Sequence, residues 1–238
     1  MQSCTIEWPE AGELRVREII SRARSIPTWK VPSIKLDRWV HAESDVECDG
    51  VKLLDVSPSV TSFCEQPCRI RYIVDGTEYT HIPDTHAQGR LPKPLLVEFK
   101  KDDDRELQFA LQRGAALAPH LYRLGYDYRV VLGSTLRRFG YLQNAKWIFK
   151  HARRPLPLGI FERARQVFRS DPAVTFRKLT GAFGELRNPC WPIARLVFDG
   201  QVGLDMRQPI TDDTVFYWHS KRDTGESPWL LQLLPVTK

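Results

Sequence analysis

Two carboxylates and a lysine stand at spacings that suit phosphodiester hydrolysis. Pro83-Asp84 closes one β-type run, residues 77–83, and Glu98-Phe99-Lys100 closes another, residues 94–100. A loop with Gly89, Pro92 and Pro94 lies between them, a spacing that predicts two neighbouring antiparallel strands. Alternate strand side chains point the same way, so Glu98 and Lys100 share one face while Val97 and Phe99 take the other. Asp84, where the preceding strand ends, can meet them. Carboxylates so placed hold Mg²⁺, the metal activates water, and the lysine stabilises negative charge developing on a phosphate. Each piece also has a plainer reading. Pro-Asp is a common turn dipeptide, and Glu-x-Lys is a common charge pair on an exposed strand.

The elements that must carry these groups follow from pattern. Ser44 is an N-cap, and Val46, Val51, Leu53 and Leu54 fall near one face of a helix that Gly50 weakens. Ser44-x-x-Glu47 fits a capping box, in which Glu47 bonds back to the backbone of Ser44. Strands are expected at 69–74, with Ile70 and Tyr72 on one face, at 77–82 and at 95–100. Asp75-Gly76 makes a tight turn between the first two. Asp102, Asp103 and Asp104 place acid at the start of a helix over 105–124, which Gly114 and Pro119 bend or split. A fourth strand covers 126–132. The order is helix, three strands, helix, strand. The strand–helix–strand unit implies a parallel pair, hence a mixed sheet in an α/β fold. A carboxylate on the first helix, one at the end of the second strand and Glu98-x-Lys100 on the third can then converge at one edge.

The chain has 238 residues, enough for one or two domains, with 42% hydrophobic and 27% charged residues. No apolar run approaches a membrane span, and the first residues lack the pattern of a secretory leader, so the expected location is cytoplasmic. Five cysteines at irregular spacing read as free thiols rather than a zinc site. The net charge is +6, but residues 111–170 hold twelve Lys and Arg against two acids, Asp127 and Glu162. That excess suits a surface laid on a polyanion. Within it, residues 136–154 interleave basic and aromatic side chains, with Trp147, Ile148 and Phe149 partly in the core.

Residues 1–40 read as a peripheral N-terminal extension with a short helix from Glu13 to Arg24. Pro155 and Pro157 mark a boundary after a domain covering 41–156. Residues 157–238 then read as a small domain: helices at 160–169, from Thr175, and at 192–200, followed by a β wing from 202–206 and 214–218. Helices followed by a hairpin suggest a winged helix. Phe216, Trp218 and Trp229 are candidate apolar contacts for a partner.

This order of elements and residues resembles the PD-(D/E)xK nuclease superfamily. More closely, it is similar to the TnsA endonuclease subunit of heteromeric TnsA/TnsB/TnsC transposons. The matching phrases are Glu43-Ser44-Asp45-Val46-Glu47, Leu53-Leu54-Asp55 to Val60, Glu65-Gln66-Pro67, Tyr79 to Asp84 and Val97-Glu98-Phe99-Lys100. The likeness continues into Tyr128-Arg129-Val130-Val131 and Asn144-Ala145-Lys146, and covers about residues 30–220. It implies a restriction-endonuclease-like αβββαβ core followed by a winged-helix-like domain. It also implies Glu47, Asp84 and Glu98 as ligands of Mg²⁺ or Mn²⁺, with Lys100 as the catalytic lysine. The family pattern continues from Asp84 with an apolar residue, whereas Thr85-His86 follow here. The implied task is to cut the strand at the element's 5′ ends, with a TnsB-like transposase and a TnsC-like ATPase as partners and no membrane. Arg137, Arg138, Lys146, Lys150, Arg153 and Arg154 are the candidate DNA contacts. Two alternatives stay open: a stand-alone restriction-like nuclease, and a non-catalytic DNA-binding assembly protein.

Overall fold

The computed structural model describes residues 3–17, 28–219 and 229–234. The chain begins with β1 (Ser3–Glu7), β2 (Trp29–Pro32) and β3 (Trp39–Ala42), then α1 (Asp45–Val56) and β4 (Val60–Glu65). There follow β5 (Arg69–Val74), β6 (Thr77–His81), β7 (Thr85–Gly89), β8 (Leu95–Lys100), α2 (Leu107–Arg123) and β9 (Asp127–Leu132). A four-stranded sheet in the order β4-β7-β8-β9 lies at the centre, antiparallel except for the parallel pair β8–β9. That pair is parallel because α2 carries the chain back across the sheet. The protein is therefore a mixed α/β fold.

β8 reads Leu95-Leu96-Val97-Glu98-Phe99 and is buried along that run, as a strand covered on both faces must be. Its side chains divide by parity. Leu95, Val97 and Phe99 join an apolar cluster with Val46, Val51 and Leu54 of α1. Leu96 joins a second cluster with Leu117 and Leu121 of α2 and Tyr128 of β9. Gly50 of α1 has no room for a side chain, since a Cβ there would lie 2.3 Å from the Phe99 ring. The residue that weakens the helix locally is thus the one that lets it sit on the sheet.

Several expectations are corrected here. The antiparallel neighbour of β8 is β7, with Thr85 opposite Val97, and not the run 77–83. Residues 77–81 instead pair with β5 across a two-residue turn in which Asp75 and Gly76 both take positive φ (50° and 79°). That hairpin leaves the central sheet and joins β1 in a separate sheet, order β1-β5-β6. The strands at 60–65 and 85–89, read as turn and loop, supply the two places in the central sheet. Asp84 accordingly stands just before a strand and not at the end of one. Asp102 does not cap α2. Its carboxylate takes the backbone N–H and hydroxyl of Ser134, while Asp104 Oδ1 accepts the N–H of Glu106 at 2.9 Å. Residues 13–17 form bends and irregular backbone rather than helix, and the rest of the helix expected up to Arg24 lies outside the described residues. The N-terminal part is not peripheral in packing, because β1 pairs with β5 over five residues and Val31 and Val40 are core residues.

Beyond the central sheet run α3 (Gly133–Arg137), α4 (Tyr141–His151), α5 (Leu158–Ser170), β10 (Ala173–Thr175), α6 (Phe176–Ala182) and α7 (Cys190–Phe198). β11 (Val202–Leu204), β12 (Val215–Trp218) and α8 (Trp229–Leu233) complete the described chain. β10, β12 and β11 form a small antiparallel sheet in that order. The apolar cluster against α1 continues through residues on both sides of Pro155 and Pro157, from Ala152 to Ala164 and Phe168. Phe216 is fully buried, Trp218 packs against Phe161 and Phe168, and Trp229 stacks on Tyr141. Phe216 is thus a core residue and not the partner surface expected of it, while Trp218 and Trp229 are half-buried against these rings. Among the described residues, no helix is long and apolar enough to cross a membrane.

Candidate active site and basic surface

Asp84 enters the site on backbone pairing. The register that sets Thr85 against Val97, carried one step on, sets Asp84 against Glu98. The Phe99 N–H donates to Asp84 Oδ2 at 2.7 Å, so a carboxylate occupies the place of a ladder acceptor. The other side of Asp84 is held by Gln66, a buried residue with φ of 49° in the bend after β4. Its backbone N–H donates to the Asp84 carbonyl at 2.9 Å, and its side-chain oxygen accepts from Arg17 Nε at 3.0 Å.

Burial pushes the Asp84 carboxyl well above the usual carboxylate range. The like charges of Glu47 and Glu98 push it the same way, against the weaker pull of the Phe99 N–H and Lys100. Glu65, also buried, shows the opposite arrangement. Arg38 and Arg15 reach its carboxylate at 2.8 and 3.1 Å, and although burial is the largest influence and works to raise its pKa, the Arg38 bond, a backbone N–H and the two guanidinium charges together outweigh it and the pKa falls. Glu65 is a paired structural carboxylate; Asp84 has no such guanidinium.

Glu98 points to the α2 face, where Arg113 Nη2 donates to Oε1 at 2.5 Å and the Tyr128 hydroxyl donates to Oε2 at 2.8 Å. His81 Nε2 lies 3.4 Å from Oε2. Burial works to raise the Glu98 pKa, yet these charged and hydrogen-bonding neighbours outweigh it and hold the carboxylate ionised. His81 is lowered to about 4 by its own burial, so at neutral pH the hold on Glu98 comes from Arg113, Tyr128 and Lys100. Lys100 Nζ stands 3.4 Å from Glu98 Oε1 and 3.6 Å from Asp104 Oδ2. Glu98 and Lys100 therefore share a face, as alternation predicts. Burial works to lower the lysine, and the carboxylates of Glu98, Asp104 and Asp84 more than reverse it.

Glu47 lies in the first turn of α1 and completes a capping box. Its N–H donates to Ser44 Oγ at 3.1 Å, and its own carboxylate accepts the Ser44 hydroxyl at 3.0 Å. The backbone donor it reaches is Glu43 N–H at 2.8 Å, one residue earlier than the pattern predicts. Burial raises its pKa, and its charge is felt by Asp84. Capping therefore does not take Glu47 out of the electrostatic reach of Asp84. Among the described residues, no three His, Cys, Asp or Glu side chains are gathered as ligands of one ion. Glu47 and Glu98 are near enough to perturb Asp84, but their oxygens are engaged elsewhere. The donor chemistry, oxygen only and rich in negative charge, fits a hard divalent cation.

The six candidate DNA contacts behave differently from one another. Arg137 pairs with Asp45 at 2.9 Å and Asp49 at 3.4 Å, and Lys146 pairs with Asp49 at 2.9 Å. These two tie α3 and α4 to α1. Arg138 lies over the Phe139 ring, and Arg153 lies over the Phe149 ring while donating to the Pro32 carbonyl at 2.8 Å. Lys150 and Arg154 are exposed.

Sequence reading missed His81, Arg113 and Tyr128 around Glu98. Tyr128 had a signal, since it alternates with Val130 on a strand next to Glu98. Arg113 had none, because a helical arginine in a basic stretch reads as solvated.

No protein-family model matches the chain, and no curated protein matches it. Among solved structures, the chain is similar to protein VC1899 from Vibrio cholerae, at 16% identity and a TM-score of 0.27. The likeness covers 51% of this chain and 26% of that one, and carries no argument about fold or function.

Proposed function

We propose that this chain is a Mg²⁺-dependent DNA endonuclease of the TnsA-like class, cutting the 5′-end strand at transposon ends together with a TnsB-like transposase. The observation that carries the reading is Asp84: a buried carboxyl with no guanidinium, beside Glu47 and Glu98, one step from Lys100. Glu65, equally buried, is held by guanidinium groups, and Asp55 by the Ser33 hydroxyl and the backbone N–H groups of Ile34 and Lys35; Asp84 accepts the Phe99 N–H and lies among like charges, an arrangement that a cation would relieve. The run α1, β4, β7, β8, α2, β9 supports a restriction-endonuclease-like core, with the β5–β6 hairpin as an insertion. The run α5, β10, α6, α7, β11, β12 supports a winged helix.

Glu47, Asp84 and Glu98 would hold the metal, which when bound activates a water and polarises a phosphate oxygen. Asp84 keeps a proton while no countercharge is present and gives it up when one arrives. The β7–β8 ladder fixes its position through the Phe99 N–H. Lys100, oriented by Glu98 and Asp104, supplies fixed positive charge to the phosphate oxygens as the bond breaks. Arg113 and Tyr128 keep Glu98 ionised.

The test is strand-resolved cleavage of DNA carrying the element ends, with and without the TnsB-like transposase. The chain alone should cut poorly, and the partner should direct cuts to the 5′ ends. Asp84→Ala should abolish Mg²⁺-dependent cleavage with folding intact. Efficient, site-specific double-strand cutting by the chain alone favours the stand-alone nuclease, and full activity of Asp84→Ala removes Asp84 from the chemistry.

A further inference from the structure

The basic side chains of the 111–170 stretch divide into those met by a carboxylate and those that are not, and three of the latter, Lys150, Arg153 and Arg154, converge with Arg187 from outside it. Arg137 and Lys146 have their charge met by Asp45 and Asp49. Around the end of α4 the situation differs. A cleft of about 450 Å³ is lined by Lys150, Arg153, Arg154, Arg187 and Trp191, with no Asp or Glu in its wall. Lys150, Arg154 and Arg187 are exposed, and among the described residues no carboxylate pairs with their side chains. Three cations facing one concavity without a counterion repel one another, an arrangement that an external anion relieves.

The cleft is also built rather than loose. The Trp191 indole N–H donates to the Arg154 carbonyl at 2.9 Å, which ties the start of α7 to the segment after α4. His151 and Asn188 meet across it at 3.3 Å, and Arg195 Nη1 donates to the Ala152 carbonyl at 3.3 Å. Arg153 is fixed by the Phe149 ring and the Pro32 carbonyl, so one guanidinium is set before any ligand binds. Guanidinium forks match phosphate oxygens, and an indole wall offers an apolar surface to a sugar or base.

We infer that this cleft is a phosphodiester-binding site for one strand of a polynucleotide, formed by Lys150, Arg154 and Arg187 against Trp191, with Arg153 as its fixed cation. It is built from residues other than the carboxylate site, so it stands or falls separately from nuclease activity. Arg137 and Lys146 are consequently tethers of α3 and α4 to α1 and not part of this phosphate surface.

The test is fluorescence anisotropy with a labelled single-stranded 30-mer, its duplex, and labelled polyglutamate, at several salt concentrations. For K150A/R154A/R187A the slope of log affinity against log salt should flatten by about 2–3, from the loss of three phosphate contacts at ~0.7–0.9 each. Affinity at moderate salt should fall at least tenfold. The charge-keeping variant K150R/R154K/R187K should hold the slope, and circular dichroism should find all three proteins equally folded. Arg177→Ala, which removes an exposed cation paired with Asp212 outside the cleft lining, should bind as the unmodified chain does, so loss of binding in the cleft variant is not a general effect of lost surface charge. An unchanged slope in the alanine variant overturns the site. Polyglutamate bound as tightly as DNA, with the same dependence on these residues, overturns the polynucleotide assignment in favour of an acidic protein partner.

Discussion

Asp84→Asn separates charge from shape at the centre of the proposed site. The asparagine oxygen can still accept the Phe99 N–H, but no group is left beside Glu47 and Glu98 that can ionise. Because the folded-state pKa of Asp84 is raised, the unfolded chain loses that proton first, and stability falls as pH climbs above the unfolded carboxylate range. The asparagine variant escapes this fall. At pH 7.5 it should melt higher than the unmodified chain by about 2–6 °C, equivalent to ~1–2 kcal/mol at this size. Mg²⁺ should stabilise the unmodified chain, by about 2.7 kcal/mol at a hundred times its Kd, and leave the variant unchanged. Thermal melts with and without Mg²⁺ check both, and a variant that melts lower at pH 7.5 shows that the charge is compensated and the metal reading is wrong. At this scale the sequence was legible where alternation governs, so Glu98 and Lys100 do share a face. The capping role of Glu47 was also legible, since Ser44-x-x-Glu47 is the spacing of a capping box. What pattern could not reach was Arg113, whose meaning depends on which way α2 turns over the sheet.

Elements were read well where the code is local and poorly where it depends on pairing. Asp75-Gly76 dictated a hairpin, and α1 carries the cap and apolar face its residues predict. The strands 60–65 and 85–89 went unread for different reasons: Val60, Thr61 and Phe63 favour β but stand between Ser57-Pro58-Ser59 and Gln66-Pro67, which read as turns, whereas Thr85-His86-Ala87-Gln88 holds a single β-former and depends on pairing with β4 and β8. Gly50 is the element-scale control. Alanine there gains helix propensity of roughly 0.5–1 kcal/mol in isolation but meets the Phe99 ring. Gly50→Ala should therefore destabilise by about 2 kcal/mol, and adding Phe99→Leu should recover part of it, read by urea unfolding. A stabilised single variant means that α1 can shift off the ring freely. The far end of α1 offers a second test. Lys35 Nζ donates to the Ser57 and Val60 carbonyls, each at 2.6 Å, and burial lowers its pKa to about 8 despite the Asp55 carboxylate. Below pH 8 the lysine is charged in both states and its burial cost is present in full. Between pH 8 and the unfolded value the folded state releases its proton first, so stability rises with pH. Lys35→Met should remove that rise, measured as the difference in unfolding free energy between pH 7.5 and 10; an identical rise in the variant assigns it to other groups.

At the scale of the whole molecule, charge asymmetry was visible in the sequence but its use was not. A count of lysines and arginines cannot distinguish Arg137, spent on Asp45 and Asp49, from Arg154, which meets no carboxylate among the described residues. The pairing of β1 carries a further consequence. β1 pairs with β5 from Ser3↔Ile73 to Glu7↔Arg69, so during synthesis it waits for a strand roughly 70 positions later. At ~5–20 residues per second that wait is about 4–14 s on the ribosome. For that interval Cys4-Thr5-Ile6 is an unsatisfied β-segment, and once β5 and β6 have folded, their open edge is a template that any similar strand can fill. Changes within β1 therefore act on the yield of folded protein before they act on the carboxylate site. A substitution that delays β1 trades the intramolecular strand for one from a neighbouring chain, and aggregation during expression is its signature.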